Sequence, residues 1–428
     1  MRRGVFTLAW LLATGCGAYY PSASGSTGGG TEQPFSVNEI GTTPIAAPDA
    51  GAPIEHDLAG DVQLVAAGAE YVVAETDQGP FRVVGTDDPV SMAYVDASGT
   101  SALSVSALVP RQPAPPNPSD PTPTTGVLAL ARQGLLVDFT DYFESAGLPL
   151  SSPQTASGLD DVGTGDSEVI WTGIPGGATR IGRLSSDTYS IGGETSAPSA
   201  VLQLDQTLAL LAFGGKVYDL HTDSKVADAL DHDFTLVHAM TRGTNADTAF
   251  LATSDGLYER TSTGPYDHYL AGQDISGVGY DPLNGLYFTT STALLLLKGD
   301  GTMLNLGALP AGVHPLAIDG FGDVWVGAGK SLLQFHVGTS VTYTNDVKPF
   351  LAANCYTCHV SQLPGTPNDA PKLPFDDYTG TRGLAPDIIS RVQGQGGLMP
   401  PAPPVGNGPL QPSQYGVVIR WVQSGELQ

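Results

Sequence analysis

Apolar residues recur through the middle of the chain as pairs of short runs joined by a turn. In each pair the first run ends at a small residue, and a second apolar run follows a few positions later. Short apolar runs bounded by turn residues predict paired β-strands. The small residues that end the first runs are Ala74, Ala131, Thr172, Ala212, Thr253, Thr290 and Ala328.

The spacing of these seven positions is nearly regular. The intervals between them are 57, 41, 40, 41, 37 and 38 residues. The long first interval contains residues 110–125, sixteen residues with seven prolines, and without them it would be 41. Because proline cannot donate a hydrogen bond to a sheet, this stretch is predicted to leave the sheet as a loop.

A repeat of about 40 residues built from strand pairs matches a four-stranded propeller blade. The sequence therefore predicts a mainly β fold, with a seven-bladed β-propeller over residues 59–338. The last repeat, with Asp319, Gly322, Asp323 and Trp325 between apolar residues, resembles NHL-type and regulator-type propeller blades. The alternatives are a β-sandwich, or six blades with an additional edge hairpin. The propeller fold alone does not indicate a function.

The N-terminus has the layout of a signal peptide, with Arg2 and Arg3 before the apolar run 5–13. Residues 13–16, Ala-Thr-Gly-Cys, resemble the cleavage box of bacterial lipoproteins. That resemblance implies a signal over residues 1–16 and a lipid anchor on Cys16. A simple secretory signal is the alternative, and both interpretations predict export. By family habit, Gly17 after the lipidated cysteine favours the outer membrane, on its periplasmic or outer face.

Residues 17–58 are rich in small and polar residues and are predicted to form a flexible tether. No segment reaches the roughly 18 apolar residues of a transmembrane helix. The net charge is −25, of which residues 341–428 contribute only −1, from five basic and six acidic residues. Such an acidic protein is not expected to bind nucleic acid or anionic lipid, whereas a basic partner would be attracted to the larger domain.

The strongest chemical motif is Cys355-Tyr356-Thr357-Cys358-His359, the spacing of covalent haem attachment. Residues three and four apart share one helix face, so Cys355, Cys358 and His359 can all point at one haem. The two thiols would bond the haem and the imidazole would ligate iron. Asp346 is predicted to cap the preceding helix, with Pro349 in its first turn.

The motif has two other interpretations, a zinc site and a redox pair of thiols. A zinc site would require two further ligands, and no Cys or His follows His359. A thioredoxin-like redox pair would lie beside a βαβ pattern, which the sequence lacks.

Met399 is predicted to be the sixth ligand of the iron. It is the one Met after Met303, and Pro400 and Pro401 follow it. A five-coordinate iron with a surface Met399 is the alternative. Ligation by Met raises the reduction potential and leaves no open coordination position, which favours electron transfer over oxygen or peroxide chemistry.

The pattern over residues 344–427 resembles the mono-haem cytochrome c domains that are appended to exported bacterial proteins. The resemblance implies a small all-α domain over 339–428, a Met-Pro loop at Met399, and one covalently attached haem c. Its last helix is predicted to start at Pro412 and to end near Gly425. Arg391 is a possible contact of a haem propionate, with a solvated surface position as the alternative.

These observations predict a lipid-anchored, exported electron carrier rather than an enzyme, with no catalytic residue of its own. The propeller would act as a docking module for a redox partner protein. In the alternative, the propeller is an oxidoreductase that passes electrons from a substrate to the haem.

Overall fold

The computed structural model describes most of the chain from Val37 to Gln423. Residues 1–36, 111–126, 150–156, 360–372, 393–411 and 424–428, together with shorter stretches, lie outside the described part. Within it, strands dominate as far as Phe335, and helices follow from Tyr343. The protein is therefore mainly β, with a helical unit at its C-terminal side.

The strands are two to eight residues long. The first seventeen are β1 (Val37–Ile40), β2 (Ile45–Ala46), β3 (Ile54–Asp57), β4 (Val62–Ala67), β5 (Val72–Thr76), β6 (Gly79–Val83), β7 (Val90–Ser91), β8 (Tyr94–Asp96), β9 (Gly99–Ser101), β10 (Val105–Pro110), β11 (Val127–Ala131), β12 (Leu135–Phe139), β13 (Phe143–Pro149), β14 (Ser157–Thr164), β15 (Ser167–Ile174), β16 (Gly177–Gly182) and β17 (Ser186–Ser190).

The second half of the sheet region continues in the same manner. Its strands are β18 (Ala200–Gln203), β19 (Leu208–Phe213), β20 (Lys216–His221), β21 (Val226–Asp233), β22 (Val237–Arg242), β23 (Ala249–Thr253), β24 (Gly256–Arg260), β25 (Tyr266–Tyr269), β26 (Ile275–Asp281), β27 (Gly285–Thr290), β28 (Ala293–Leu297), β29 (Met303–Ala308), β30 (Leu316–Ile318), β31 (Val324–Ala328) and β32 (Ser331–Phe335).

Consecutive strands pair antiparallel, and the described residues form four- or five-stranded sheets and one separate two-stranded pair, β8–β9. The larger sheets have the orders β4-β5-β6-β7, β10-β11-β12-β13, β14-β15-β16-β17, β18-β19-β20-β21, β1-β25-β24-β23-β22, β2-β29-β28-β27-β26 and β3-β32-β31-β30. The small residues that mark the sequence repeats lie at or near the end of the second strand of each repeat.

The first strands of successive sheets contact one another. The contacts run in the order β4, β10, β14, β18, β22, β26 and β30, and β30 in turn contacts β4. Because this series returns to its starting strand, the sheets are arranged around a common axis. That arrangement is typical of a β-propeller.

The N-terminal strands correct one prediction. Residues 17–58 were expected to be a flexible tether, but β1 pairs in parallel with β25 and β2 with β29. β3 pairs antiparallel with β32 and supplies the outer strand of the last sheet. The tether prediction is therefore wrong for these three strands.

Side chains between neighbouring sheets form the core as a series of separate apolar clusters. Trp171 is fully buried, stacks on Tyr189, and donates from Nε1 to Gln203 Oε1 at 2.6 Å, which links two neighbouring sheets. Trp325 stacks on His56 of β3 and donates to Asp319 Oδ2 at 2.8 Å. The buried tryptophans thus join elements that lie far apart in sequence.

The helical unit consists of a π-helical turn, Tyr343–Val347, and the helices α1 (Lys348–Asn354), α2 (Tyr378–Val392) and α3 (Pro412–Gln423). These elements share an apolar core. Its buried members are Val341, Tyr343, Val347, Leu351, Phe375, Ala385, Ile388, Val392, Val417, Val418, Ile419 and Trp421. None of the described helices is long and apolar enough to cross a membrane.

Candidate functional site

The helix before the motif begins differently from the prediction. The Thr342 hydroxyl, rather than Asp346, caps the π-helical turn that precedes α1, because it accepts from the Asn345 N–H. The Asp346 side chain bonds back to the capping residue, since its Oδ2 accepts from the Thr342 N–H at 2.8 Å. Pro349 lies in the first turn of α1 as predicted. This arrangement satisfies N–H groups that the first helical turn would otherwise leave without partners.

Cys355 directly follows α1, and His359 lies four residues later, beyond the end of that helix. The Cys355 N–H donates to the Leu351 carbonyl at 2.7 Å, and the His359 N–H donates to the Cys355 carbonyl at 2.9 Å. Both side chains are half-buried. The His359 bond closes a turn, but no described helix contains both residues, so a shared helix face for Cys355 and His359 stays a prediction.

The carbonyl of Phe375 holds the surroundings of this turn together. It accepts from the Tyr343 hydroxyl at 2.8 Å, from the Tyr356 hydroxyl at 3.0 Å and from the Thr381 hydroxyl at 3.1 Å. The ring of Phe375 lies edge to face with that of His359, with 5.7 Å between their centroids. The pKa of Tyr356 is raised, first by burial and then by neighbouring Tyr343. Tyr356 therefore remains a hydrogen-bond donor at neutral pH.

The other predicted site residues are placed only in part. Cys358, Met399 and Cys16 lie outside the described residues, so their roles stay predictions. Arg391 lies in the last turn of α2, with an exposed side chain. The described residues therefore bring together Cys355 and His359 but do not place a second axial ligand.

An ion pair that the sequence did not indicate joins the helical unit to the propeller. Arg420 of α3 donates from Nη1 to Asp281 Oδ2 at 2.9 Å, and the two side chains are 7% and 0% exposed. Asp281 ends β26, and its carboxylate also accepts from the Leu283 N–H and the Asn284 amide. The side chain of Leu283 packs against the core of the helical unit. A charged residue within the apolar run of the last helix was the available signal.

The neighbouring turn between β30 and β31 completes this contact. Asp319 accepts from the Asp323 N–H at 3.0 Å and from the Trp325 indole, so its carboxylate links the end of β30 to the start of β31. Asp323 accepts from Gln334 Nε2 at 2.6 Å and pairs with His336 at 2.7 Å. These bonds hold the described ends of the turn in place where Arg420 of α3 lies against Gly322.

The comparisons with known proteins concern the fold. No protein-family model and no curated protein matches the sequence. The extracellular domain of the two-component system BT4673 from B. thetaiotaomicron matches with a TM-score of 0.52 at 12% identity, over 69% of this chain and 42% of that one. The chain thus spans less than half of that structure's length.

Two further solved structures match over similar lengths. A chain of the mitotic checkpoint complex matches with a TM-score of 0.50 at 12% identity, over 70% of this chain and 99% of that one. The WD40 β-propeller domain of Doa1 has a TM-score of 0.47 at 12% identity, over 67% and 98%.

The pairing of strands and the returning contacts between sheets define the class of the protein, which has a β-propeller fold. The similarities at 12% identity support the fold alone. These similarities define no narrower family, and they do not assign a function to the chain.

The assignment to the mono-haem cytochrome c domains of exported lipoproteins is corrected. The protein is nearly all β, with three short helices in its described part, and Cys355 is the one cysteine among those residues. The described residues contain no group of three Cys, His, Asp or Glu side chains that could hold a metal ion. A helical unit is present, but an all-α cytochrome domain is not shown. A five-residue motif was too short to define a family.

Proposed function

We propose that the chain transfers electrons through one haem bound covalently by Cys355 and Cys358, with His359 and Met399 as the axial ligands of the iron. The proposal rests on the chemistry of these side chains and not on membership of a family. The observation that supports it is the hydrogen bond from the His359 N–H to the Cys355 carbonyl, which brings the backbones of these two residues together.

The described residues around this turn fit a bound haem. Cys355 and His359 are half-buried beside an apolar core, where water has limited access. When bound, haem iron supplies a one-electron redox centre. Phe375 contacts the imidazole, and Tyr343 and Tyr356 hold the Phe375 backbone in place. These contacts would restrict the orientation of the His359 ring.

The first test is an absorption spectrum of protein produced with haem-maturation enzymes, oxidised and reduced. Wild type is expected to show covalently bound, low-spin haem. Cys355→Ser is expected to lose about half of the thioether bonds, since one of the two thiols remains. In Met399→Ala the haem iron is expected to become high-spin, because it loses its sixth ligand. Lys330→Ala serves as the control, because the exposed Lys330 lies between β31 and β32, outside the proposed haem site.

If denaturation releases the haem from the wild-type protein, the haem is not attached covalently. Bound haem whose spin state is unchanged in Met399→Ala would refute Met399 as a ligand and reopen ligand-binding chemistry. Reduction of the haem by a small-molecule substrate, without a protein partner, would favour the propeller as an oxidoreductase module.

We also propose that the sheets form a complete seven-bladed ring that serves as a docking module for a basic redox partner. The returning contacts between first strands support the ring. The charge supports the partner, since nearly all of the −25 belongs to residues before 341. Reduction by a cationic mediator is expected to slow steeply with added salt, whereas reduction by an anionic mediator should not. Equal salt dependence for both would contradict this role.

We propose further that the protein is exported and anchored to the outer membrane through lipidated Cys16. The sequence before Cys16 supports this, and the extracellular similar structures are compatible with it. Replacement of Cys16 by Ser is expected to move the protein from the membrane fraction to the soluble fraction, because one acylated residue provides the anchor. Cell fractionation measures this, and unchanged membrane association in the variant would contradict the anchor.

A further inference from the structure

The contact between α3 and the propeller has the features of a built site for a guanidinium group. Arg420 lies in the middle of the apolar part of α3 and is 7% exposed, whereas Asp281 is fully buried. A buried charge without a partner is strongly unfavourable, so each of these groups requires the other. Neither side chain belongs to the proposed haem site.

Gly322 supplies a second, independent observation. A Cβ atom at this position would lie 1.8 Å from Cζ and 1.9 Å from Nη2 of Arg420. Gly322 also has a φ of +84°, which side chains other than glycine rarely adopt. The guanidinium therefore lies directly against the backbone of the turn between β30 and β31, in space that only glycine leaves open.

We propose that Asp281 and Gly322 form a socket that holds the Arg420 guanidinium and thereby locks the helical unit onto the propeller. Asp281 is the last residue of β26, where the connection to β27 starts, and Gly322 lies in the connection between β30 and β31 of the neighbouring sheet. Leu283, in the same connection as Asp281, packs against the helical unit. The lock fixes the helical unit against one end of the ring, so that the two units move as one body.

The socket is specific for arginine. The guanidinium is planar and can lie flat over a glycine while one of its nitrogens donates to a carboxylate. Lysine would provide a single ammonium group on a flexible stem, which cannot fill the same flat space. Arg420→Lys is therefore expected to weaken the lock although the positive charge is retained.

A matched glycine separates this contact from backbone strain. Gly301 has a φ of +83°, and a Cβ atom there would meet nothing within 4 Å. Alanine at Gly301 and alanine at Gly322 therefore impose the same type of backbone strain. Only the alanine at Gly322 collides with Arg420.

The experiment compares Gly322→Ala, Gly301→Ala, Arg420→Ala and the double variant Gly322→Ala/Arg420→Ala in the full chain. Amide hydrogen exchange in α3 and thermolysin cleavage between residues 336 and 343 measure release of the helical unit. Gly322→Ala is expected to accelerate both by about tenfold or more relative to Gly301→Ala, because local opening becomes easier. Equal rates in the two glycine variants would overturn the lock.

The double variant distinguishes loss of the contact with Arg420 from a general loss of folding. Once Arg420 is alanine, adding Gly322→Ala is expected to change the rates no more than Gly301→Ala changes them in the wild type. A further acceleration in the double variant would show that Gly322 acts independently of Arg420, and would overturn the socket. These measurements do not require haem, so they can fail or succeed separately from the proposed electron transfer.

Discussion

Replacement of Trp325 by alanine is expected to lower the free energy of unfolding by about 3–5 kcal/mol, the usual cost of removing a buried aromatic side chain. Trp325 is 1% exposed and packs in the cluster between the last and first sheets. Its indole also donates to Asp319, so the variant leaves that buried carboxylate with one hydrogen bond fewer. The effect should therefore exceed that of the lost apolar contact alone.

Equilibrium unfolding in urea measures the change. Val90→Ala provides the control, since Val90 is 63% exposed and its truncation should change stability by less than about 0.5 kcal/mol. A loss below about 1 kcal/mol for Trp325→Ala would contradict the packing of the last sheet against the first.

The second large effect is expected for Arg420→Met, which retains the apolar stem and removes the charge. The variant leaves Asp281 buried without its ionic partner, and breaking a buried pair in this way costs about 3–5 kcal/mol. Adding Asp281→Asn to Arg420→Met should recover part of the loss, because the amide carries no charge. Urea unfolding of both single variants and of the double variant measures the coupling.

An exposed ion pair of similar length serves as the control. Lys225 Nζ lies 3.0 Å from Asp187 Oδ1 on the surface, and both side chains are more than two-fifths exposed. Lys225→Met is expected to leave stability nearly unchanged, since solvent screens such a pair. Strictly additive effects of Arg420→Met and Asp281→Asn would mean that the two side chains do not interact.

The repeated apolar runs predicted the sheets because each run forms a strand with a local turn beside it. Ala131, Thr253, Thr290 and Ala328 each end a second strand, and a neighbouring run pairs with it. Such hairpins are determined by residues close together in sequence. The local pattern was therefore sufficient for the mainly β fold.

The N-terminal strands could not be predicted in this way. β1 and β3 have four residues each and include polar ones, and β2 has only two residues. Their pairing is made by backbone groups at sheet edges, which impose little demand on the sequence. A composition typical of a tether is therefore compatible with an edge strand.

The interface between the helical unit and the propeller could not be predicted from the sequence either. Arg420 and Asp281 are 139 residues apart, and no spacing rule connects them. Val418 and Ile419 of the last helix are buried in the core of the helical unit. Arg420 is buried as well, because a second side of the helix packs on the propeller. An amphipathic pattern with one face cannot indicate that second contact.

The pairing of β1 with β25 cannot form until a late part of the chain has been made. Asn38 meets Asp267, 229 residues later in the chain. At about 5–20 residues per second, a ribosome needs roughly 10 to 45 seconds to supply that partner. During this time the first strands have exposed hydrogen-bonding edges, which could pair with other chains. Their short length limits this hazard, and the last sheet is completed later still, when β32 meets β3.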